Sequence, residues 1–406
     1  MVFKCQSDPF LKQFTTRVVS CQKVPPEKHL ETPCAALYEV ILEDTILFPE
    51  GGGQPTDYGT IDSVGVKKVF RMEDKAVHLT TEPLEVGKVV TEQVDWTRRF
   101  DHMQQHSGQH LLTALLDKEF GFATVGWSLG REVSFVELDT PQMSESEMRL
   151  AEGRVNEVIR MGKEVVEEVF EEGEDLADVR ARGLPEDHKG PIRVINIKDI
   201  DRNMCCGTHV TNLSQLQMVK LLGTEKSKRK DKILLNFLVG NRVLNRLTEC
   251  LNREQKLLGL LKSSPAEHPD MVQKLQLNVK ALTKGSQGLQ KDLAKLEAEK
   301  LKTASPKPKF YAKHWKDASA DLMGHFLREL GDNSGIFLFL STGDEKLVGN
   351  IMLSGSEEDV GTLGPKLCEL LEGKGAAQKT RFQARVCKMA KRTQALALIK
   401  EHFDRL

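Results

Sequence analysis

Three histidines recur at every fourth position in His102-Met103-Gln104-Gln105-His106-Ser107-Gly108-Gln109-His110. On an α-helix that interval is slightly more than one turn, so successive rings share a face with Cβ atoms about 5–6 Å apart. Two imidazoles so spaced can meet one ion at about 2.0–2.1 Å. A solvated polar face is the ordinary reading of a single helical histidine; three in register point to a metal. Much later, Met204-Cys205-Cys206-Gly207-Thr208-His209-Val210 sets thiols and an imidazole around a glycine. A tight loop of this kind can offer one thiolate and one imidazole to the same ion, although alone it also reads as a turn with two buried thiols. Two helix histidines, a loop thiol and the loop histidine make a complete tetrahedral set for Zn²⁺. A third segment, Gly51-Gly52-Gly53-Gln54-Pro55, suits close approach of backbone to a ligand, or simply a hairpin turn.

These groups need elements to hold them. Residues 1–95 carry short apolar stretches (Ala36–Leu42, Ile46–Phe48, Val64–Phe70, Ala76–Leu79) between Gly, Pro and Asp, which predicts a β-barrel-like domain bearing the Gly-rich loop. Residues 96–240 read as an α+β domain that unites the two ligand segments. Arg98–Phe120 is a helix with leucines on one side, and Glu132–Leu138 alternates as a strand. Ser144–Arg160 is a helix with Ser144 and Glu147 as a capping box. Strands are expected at Val165–Phe170, Ile192–Ile197 and Gln217–Leu222. Residues 241–305 form a helical linker or coiled coil, with a heptad seam through Leu275, Val279, Leu282, Ser286, Leu289, Leu293 and Leu296. After the Pro-rich link at 305–309, residues 306–406 form a mixed α/β unit. Its helices are expected at Asp321–Leu330, Pro365–Leu371 and Gln394–Phe403, and its strands at Ile336–Leu340 and Lys346–Leu353. The fold class is α+β.

Composition narrows the classes. The 406 residues carry 58 Lys+Arg against 59 Asp+Glu, net charge −1, so a globally basic nucleic-acid coat is excluded while local basic patches are not. No apolar run reaches the roughly 20 residues of a membrane span, and the first residues lack the apolar core of a signal peptide. Eight cysteines spread over this length are not a disulfide framework. A soluble, cytoplasmic protein is expected.

The order Gly-Gly-Gly-Gln-Pro-x-Asp-x-Gly (Gly51–Gly59), His-x-x-x-His with Leu-Leu (His106–Leu112) and Cys-x-Gly-Thr-His-Val (Cys205–Val210) resembles the editing domain of alanyl-tRNA synthetases. The resemblance is closest to the free-standing alanyl-tRNA editing proteins and covers about residues 1–245. Threonyl-tRNA synthetase editing domains share the two histidine-bearing halves. The last part of the chain is similar to the helical linker and C-terminal tRNA-binding domain of alanyl-tRNA synthetases.

The resemblance implies that the zinc and catalytic positions fall on His106, His110, Cys205 and His209. His102 lies outside the family pair and is expected to be exposed or to sit behind the ligands. Cys206 stands where the family usually has Gly, which bears on which thiol binds. With no synthetase core ahead of the editing region, action in trans is expected. The implied substrate is tRNA(Ala) mischarged with serine, and with glycine as a further substrate, hydrolysed at the aminoacyl ester. An activating site cannot strongly reject one added hydroxyl, so a second pocket is needed. Gly52, Gly53, Gln54 and Thr208 are candidate substrate contacts. The zinc is open to a catalytic or a structural role.

RNA must also be held. Thr224–Lys232 has five basic and two acidic residues, and Gly373–Arg385 has four basic residues and no acid beside Phe382, a pattern of phosphate contact plus stacking. Two other classes remain: a different zinc hydrolase, disfavoured because Ser107 rather than Glu follows His106, and a non-enzymatic zinc-containing tRNA-binding protein.

Overall fold

The computed structural model describes residues 2–24, 36–171, 179, 191–331, 335–344 and 348–405. The chain divides into two compact units, Met1–Gln255 and Lys256–Leu406.

The first unit opens with a one-turn helix, α1 (Lys4–Ser7), and a closed barrel. Its strands are β1 (Gln13–Lys23), β2 (Tyr38–Leu42), β3 (Gly59–Ile61), β4 (Val64–Met72), β5 (Lys75–Thr80) and β6 (Val89–Val94), joined in the order β1-β2-β5-β4-β3-β6. Closure leaves no free sheet edge. The longest strand, β1, was not expected, because Gln, Thr, Arg and Ser interrupt its apolar positions. Conversely, Ile46–Phe48 is no strand. Its amides bond to side chains instead: Ile46 N to Glu92 Oε2 at 2.9 Å, Leu47 N to Thr45 Oγ1 at 3.0 Å and Phe48 N to Asp57 Oδ2 at 2.8 Å. The three residues are buried, so their apolarity reflects core packing rather than a ladder.

Helix α2 (Trp96–Phe120) follows, capped by Asp95, whose side chain accepts from Arg98 N, and closed by Gly121 at φ 71°. Beyond it lie β7 (Thr124–Ser128), β8 (Ser134–Leu138), α3 (Glu145–Arg160), β9 (Val165–Phe170), β10 (Ile192–Ile197), β11 (Asp201–Met204), β12 (Val219–Lys226) and β13 (Ile233–Val239). They make a four-stranded sheet, β12-β13-β8-β7, and a three-stranded sheet, β11-β10-β9, both antiparallel. The Ser144–Glu147 capping box is present. The architecture of this unit is α+β.

α2 differs from the one-sided helix that its leucines suggest. It is buried on every face from His102 to Leu116. Two of its glutamines are satisfied from outside: Gln105 exchanges two hydrogen bonds with Val239, at 2.9 and 3.0 Å, and Gln104 bonds to Gln215 O and Asn241 N. His102 is likewise buried, at 4% exposure, so of the two places expected for it, exposed or behind the ligands, the exposed one is excluded.

In the second unit α5 (His268–Lys302), which follows α4 (Asn241–Leu261), packs only its C-terminal turns, through Ala294, Ala298 and Leu301. The heptad residues Leu275, Val279, Leu282, Leu289, Leu293 and Leu296 are exposed, so the seam is not a buried coiled-coil core. A five-stranded sheet, β14-β15-β16-β18-β17, comprises β14 (Phe310–Trp315), β15 (Phe337–Thr342), β16 (Gly349–Ser354), β17 (Gly373–Gln378) and β18 (Arg381–Val386). β14 and β15 run parallel and the other pairs antiparallel. The start of the expected strand Lys346–Leu353 lies outside the described residues. Helices α6 (Asp321–Leu330), α7 (Glu357–Leu370) and α8 (Arg392–Asp404) cover the sheet. α7 begins a full two turns before the expected Pro365, which it contains. Phe382 is 5% exposed and belongs to the core, because β18 alternates and turns Phe382 inward while Arg381, Gln383 and Arg385 face out. It is not an RNA-stacking ring. No helix among the described residues is long and apolar enough to cross a membrane.

Candidate metal centre

β11 ends at Met204, paired with Val194 of β10, and this register delivers the Cys205 loop to the buried face of α2. There His106, His110, Cys205 and His209 present donor atoms that all lie within 4.8 Å of one another. Cys205 Sγ is 3.4 Å from His106 Nε2 and 3.3 Å from His209 Nε2. A tetrahedral zinc with ordinary N and S bond lengths has edges of roughly 3.3–3.6 Å, so these separations fit one. The nitrogen–sulfur donor set is that of zinc rather than of magnesium or calcium.

Hydrogen bonds orient two of the rings. Gln54 Oε1 accepts from His106 Nδ1 at 2.9 Å and from Thr208 N at 3.0 Å, while Gln54 Nε2 donates to Thr208 Oγ1 at 2.8 Å. Ser107 Oγ accepts from Val210 N at 3.1 Å and shares a hydrogen bond with His209 Nδ1 at 3.0 Å. His106 Nε2 is thereby left as a lone-pair donor toward the centre, and His209 Nε2 is one whenever the Ser107 hydroxyl accepts from Nδ1. Ser107 therefore fills a supporting position where a zinc peptidase would carry its general base.

Burial sets the protonation of the donor atoms. Burial, reinforced by His110, holds His106 well below the usual imidazole range, and burial with His106 and His110 does the same for His209. Burial pushes the Cys205 thiol up to about 12, with Cys206 adding to the effect. Neutral imidazoles are ready ligands, and a bound divalent cation reverses the penalty on the thiolate.

The two cysteines diverge. Cys205 enters the cluster, whereas Cys206 turns to the Gly-rich loop, where a Cβ on Gly52 would lie 2.6 Å from its sulfur. Gly53, at φ 81°, is pressed against Trp127, and a Cβ there would come within 2.5 Å of the ring. Gly207 has a stricter reason to be glycine: a Cβ there would sit 2.2 Å from His106 Cε1. Beside the cluster lies a cavity of about 470 Å³, bordered by Gly52, Gln109, His110, Trp127, Cys205 and Cys206. Gln54 and Thr208 are fully buried behind it.

Several supporting residues carry no motif spacing of their own. Arg193 on β10 binds the carbonyls of Cys205 and Gly207 and pairs with Glu167. Asp57, the acid of the Gly-rich motif, accepts from Arg99 Nε at 2.8 Å and forms a fully buried ion pair with it, tying α2 to the barrel. Trp127 packs on His106 with ring centroids 5.1 Å apart. A buried Arg could have been sought from the sequence only through the lone Arg within an apolar strand, as in Ile192-Arg193-Val194-Ile195. In the Thr224–Lys232 segment, Arg229 pairs with Glu137 at 3.2 Å and Lys232 pairs with Asp139, so these cations serve the sheet turn.

The family model for the threonyl and alanyl tRNA synthetase second additional domain matches residues 192–233, the stretch that carries Cys205 and His209. A mouse protein, alanyl-tRNA editing protein Aarsd1, is 45% identical over 412 residues, covering 100% of this chain and 98% of its own. The zebrafish (Danio rerio) protein of the same name is 45% identical over 406 residues, covering 99% and 98%. An archaeal relative from Pyrococcus horikoshii, alanyl-tRNA editing protein AlaX-L, is 29% identical over 275 residues, covering 66% of this chain and 64% of that one. With such identity across nearly the whole of both chains, and with the His-Cys cluster assembled between helix and loop, this protein belongs to the alanyl-tRNA editing protein family.

Proposed function

We propose that the protein is a trans-acting hydrolase that deacylates tRNA(Ala) carrying the wrong amino acid, chiefly serine and also glycine, in cytoplasmic translational quality control. The observation that carries this reading is the convergence of His106, His110, Cys205 and His209, with His110 and Cys205 bordering the cavity. In this reading the four side chains hold one zinc ion. Bound there, zinc would supply Lewis-acid chemistry, polarising an ester carbonyl or a water.

The chain's own residues do the rest. Gln54 and Thr208 act on His106: their mutual hydrogen bonds hold its ring and keep its proton on Nδ1. Gly52 brings bare backbone to the cavity and Gly53 lets the loop pack against Trp127, so the terminal ribose and its ester can approach without a loop side chain in the way. Trp127 closes the other flank. For the tRNA body, the second unit offers a groove of about 600 Å³ bordered by Lys291, Arg328, Lys374 and Arg385, a set suited to phosphates.

The test is deacylation of Ser-, Gly- and Ala-tRNA(Ala) side by side. Ser-tRNA(Ala) is expected to be cleared at least about 10²-fold faster than Ala-tRNA(Ala), the discrimination available when a pocket pairs a hydroxyl. Equal rates would reduce the protein to a nonspecific aminoacyl esterase. Rapid clearance of Ser-tRNA(Ser) would show that the amino acid alone is read.

A further inference from the structure

One wall of the cavity is polar and has no part in holding the metal. Gln109 and Thr113 lie one turn apart on α2, next to His110, and Thr124 of β7 stands against them; all three border the cavity. Gln109 Nε2 donates to Thr113 Oγ1 at 2.9 Å, and Thr124 Oγ1 donates to the same oxygen at 3.4 Å. Gln109 Oε1 has no hydrogen-bond partner among the described residues, although Gln109 is only 5% exposed. A buried carbonyl oxygen left unpaired costs about 1–3 kcal/mol, and such an atom at a binding cavity calls for a ligand.

The chemistry of that ligand follows from counting donors and acceptors. Thr113 Oγ1 receives two hydrogen bonds and keeps its own O–H to give, while Gln109 Oε1 can only accept. Besides the second N–H of the Gln109 amide, the pair therefore offers a donor and an acceptor side by side. Turning the Gln109 amide over again leaves both: Nε2 then donates, and Thr113 has a lone pair left. A hydroxyl, which both gives and accepts, satisfies both. An ammonium satisfies only the acceptor, a carboxylate only the donor, and a methyl neither.

We propose that Gln109 and Thr113 are the specificity pair that recognises the β-hydroxyl of a seryl group in the cavity. This rests on the aminoacyl-ester reading given above. With an alanyl ester the same two groups would stay unpaired, so binding energy is withheld from the correct amino acid.

The experiment uses the full zinc-loaded chain and single-turnover deacylation of Ser-, Gly- and Ala-tRNA(Ala). Thr113→Val and Gln109→Leu should each lower the rate on Ser-tRNA(Ala) by about 10- to 100-fold, the worth of one or two lost hydrogen bonds. Glycine has no hydroxyl, so rates on Gly-tRNA(Ala) should stay within about threefold of wild type, and the serine-over-alanine ratio should collapse. Thr113→Ser keeps the hydroxyl and should keep the ratio, which guards against a variant that merely folds poorly. Equal losses on Ser- and Gly-tRNA(Ala), or an unchanged Ser rate, would overturn the assignment while leaving the hydrolase reading intact. A wild-type protein inert on all three substrates would overturn both.

Discussion

Arg193 Nη1 donates to the carbonyl of Cys205 at 2.8 Å, directly behind the thiol that enters the metal cluster. The same nitrogen reaches Gly207 O at 2.7 Å, and Nη2 bonds to Gln6 O at 3.2 Å and Glu167 Oε2 at 3.0 Å. One guanidinium thus binds two carbonyls of the ligand loop, α1 and β9. Its planar fork is what allows this; a lysine has one nitrogen and cannot divide it among these partners.

Arg193→Met should therefore loosen the loop without touching a ligand. Zinc affinity, measured by chelator competition, is expected to fall about 10- to 100-fold, the usual effect of removing a group that orients metal ligands. Unchanged affinity would mean that the backbone bond from Cys205 N to Arg193 O suffices to hold the loop.

The cysteine pair gives a sharper contrast. Cys205 Sγ stands 3.3–3.4 Å from two imidazole nitrogens, whereas Cys206 faces Gly52. Cys205→Ala is expected to abolish both zinc retention and deacylation, and Cys206→Ala to keep its zinc. Elemental analysis of the two purified variants checks this, and zinc loss confined to Cys206→Ala would reverse the assignment.

His102 makes stability depend on pH. Burial, aided by the charge of Arg98, holds its imidazole at about 4 against an ordinary 6.5. The unfolded chain then binds a proton near 6.5 that the folded chain refuses until about 4. Its contribution is complete above the unfolded value and is lost as pH falls through that window. In urea melts of zinc-loaded protein at pH 7 and pH 4.5, His102→Gln is expected to lose roughly 2–3 kcal/mol less than wild type on acidification. Identical slopes would assign the acid sensitivity elsewhere.

For RNA, Lys374→Ala combined with Arg385→Ala should weaken tRNA binding and lower the slope of log K against log salt by about 1–2, one phosphate contact per charge. Single-turnover hydrolysis at saturating protein should be unchanged, since the metal cluster lies in the other unit. Salt slopes equal to wild type would place the phosphate contacts on other cations.

How much of this was legible in the residues differs from element to element. The His106/His110 pair was readable because helical periodicity depends only on local backbone geometry, and α2 realises it. β9, β10 and α6 were found at their expected bounds for the same reason, since alternation and the helical repeat are local signals. β1 was missed because its partners in the barrel, not its own apolarity, make it a strand. Ile46–Phe48 was misread because core burial and sheet pairing both demand apolar residues. Phe382 was misread because a basic flank says nothing about which side of a strand a ring occupies.

The chain alone determined the chemistry on offer: imidazoles at helical spacing, a thiol and an imidazole about a glycine, and the residue order that marks the family. It could not say that Cys205 rather than Cys206 meets the histidines, that Gln54 and Ser107 hold their rings, or that Gln109 keeps an unpaired oxygen at the cavity. Those depend on the β10–β11 register, on the approach of Gly207 to His106 and on the burial of α2 from every side. They are contacts between segments far apart in sequence, and their geometry comes from packing the whole unit, which no local pattern encodes.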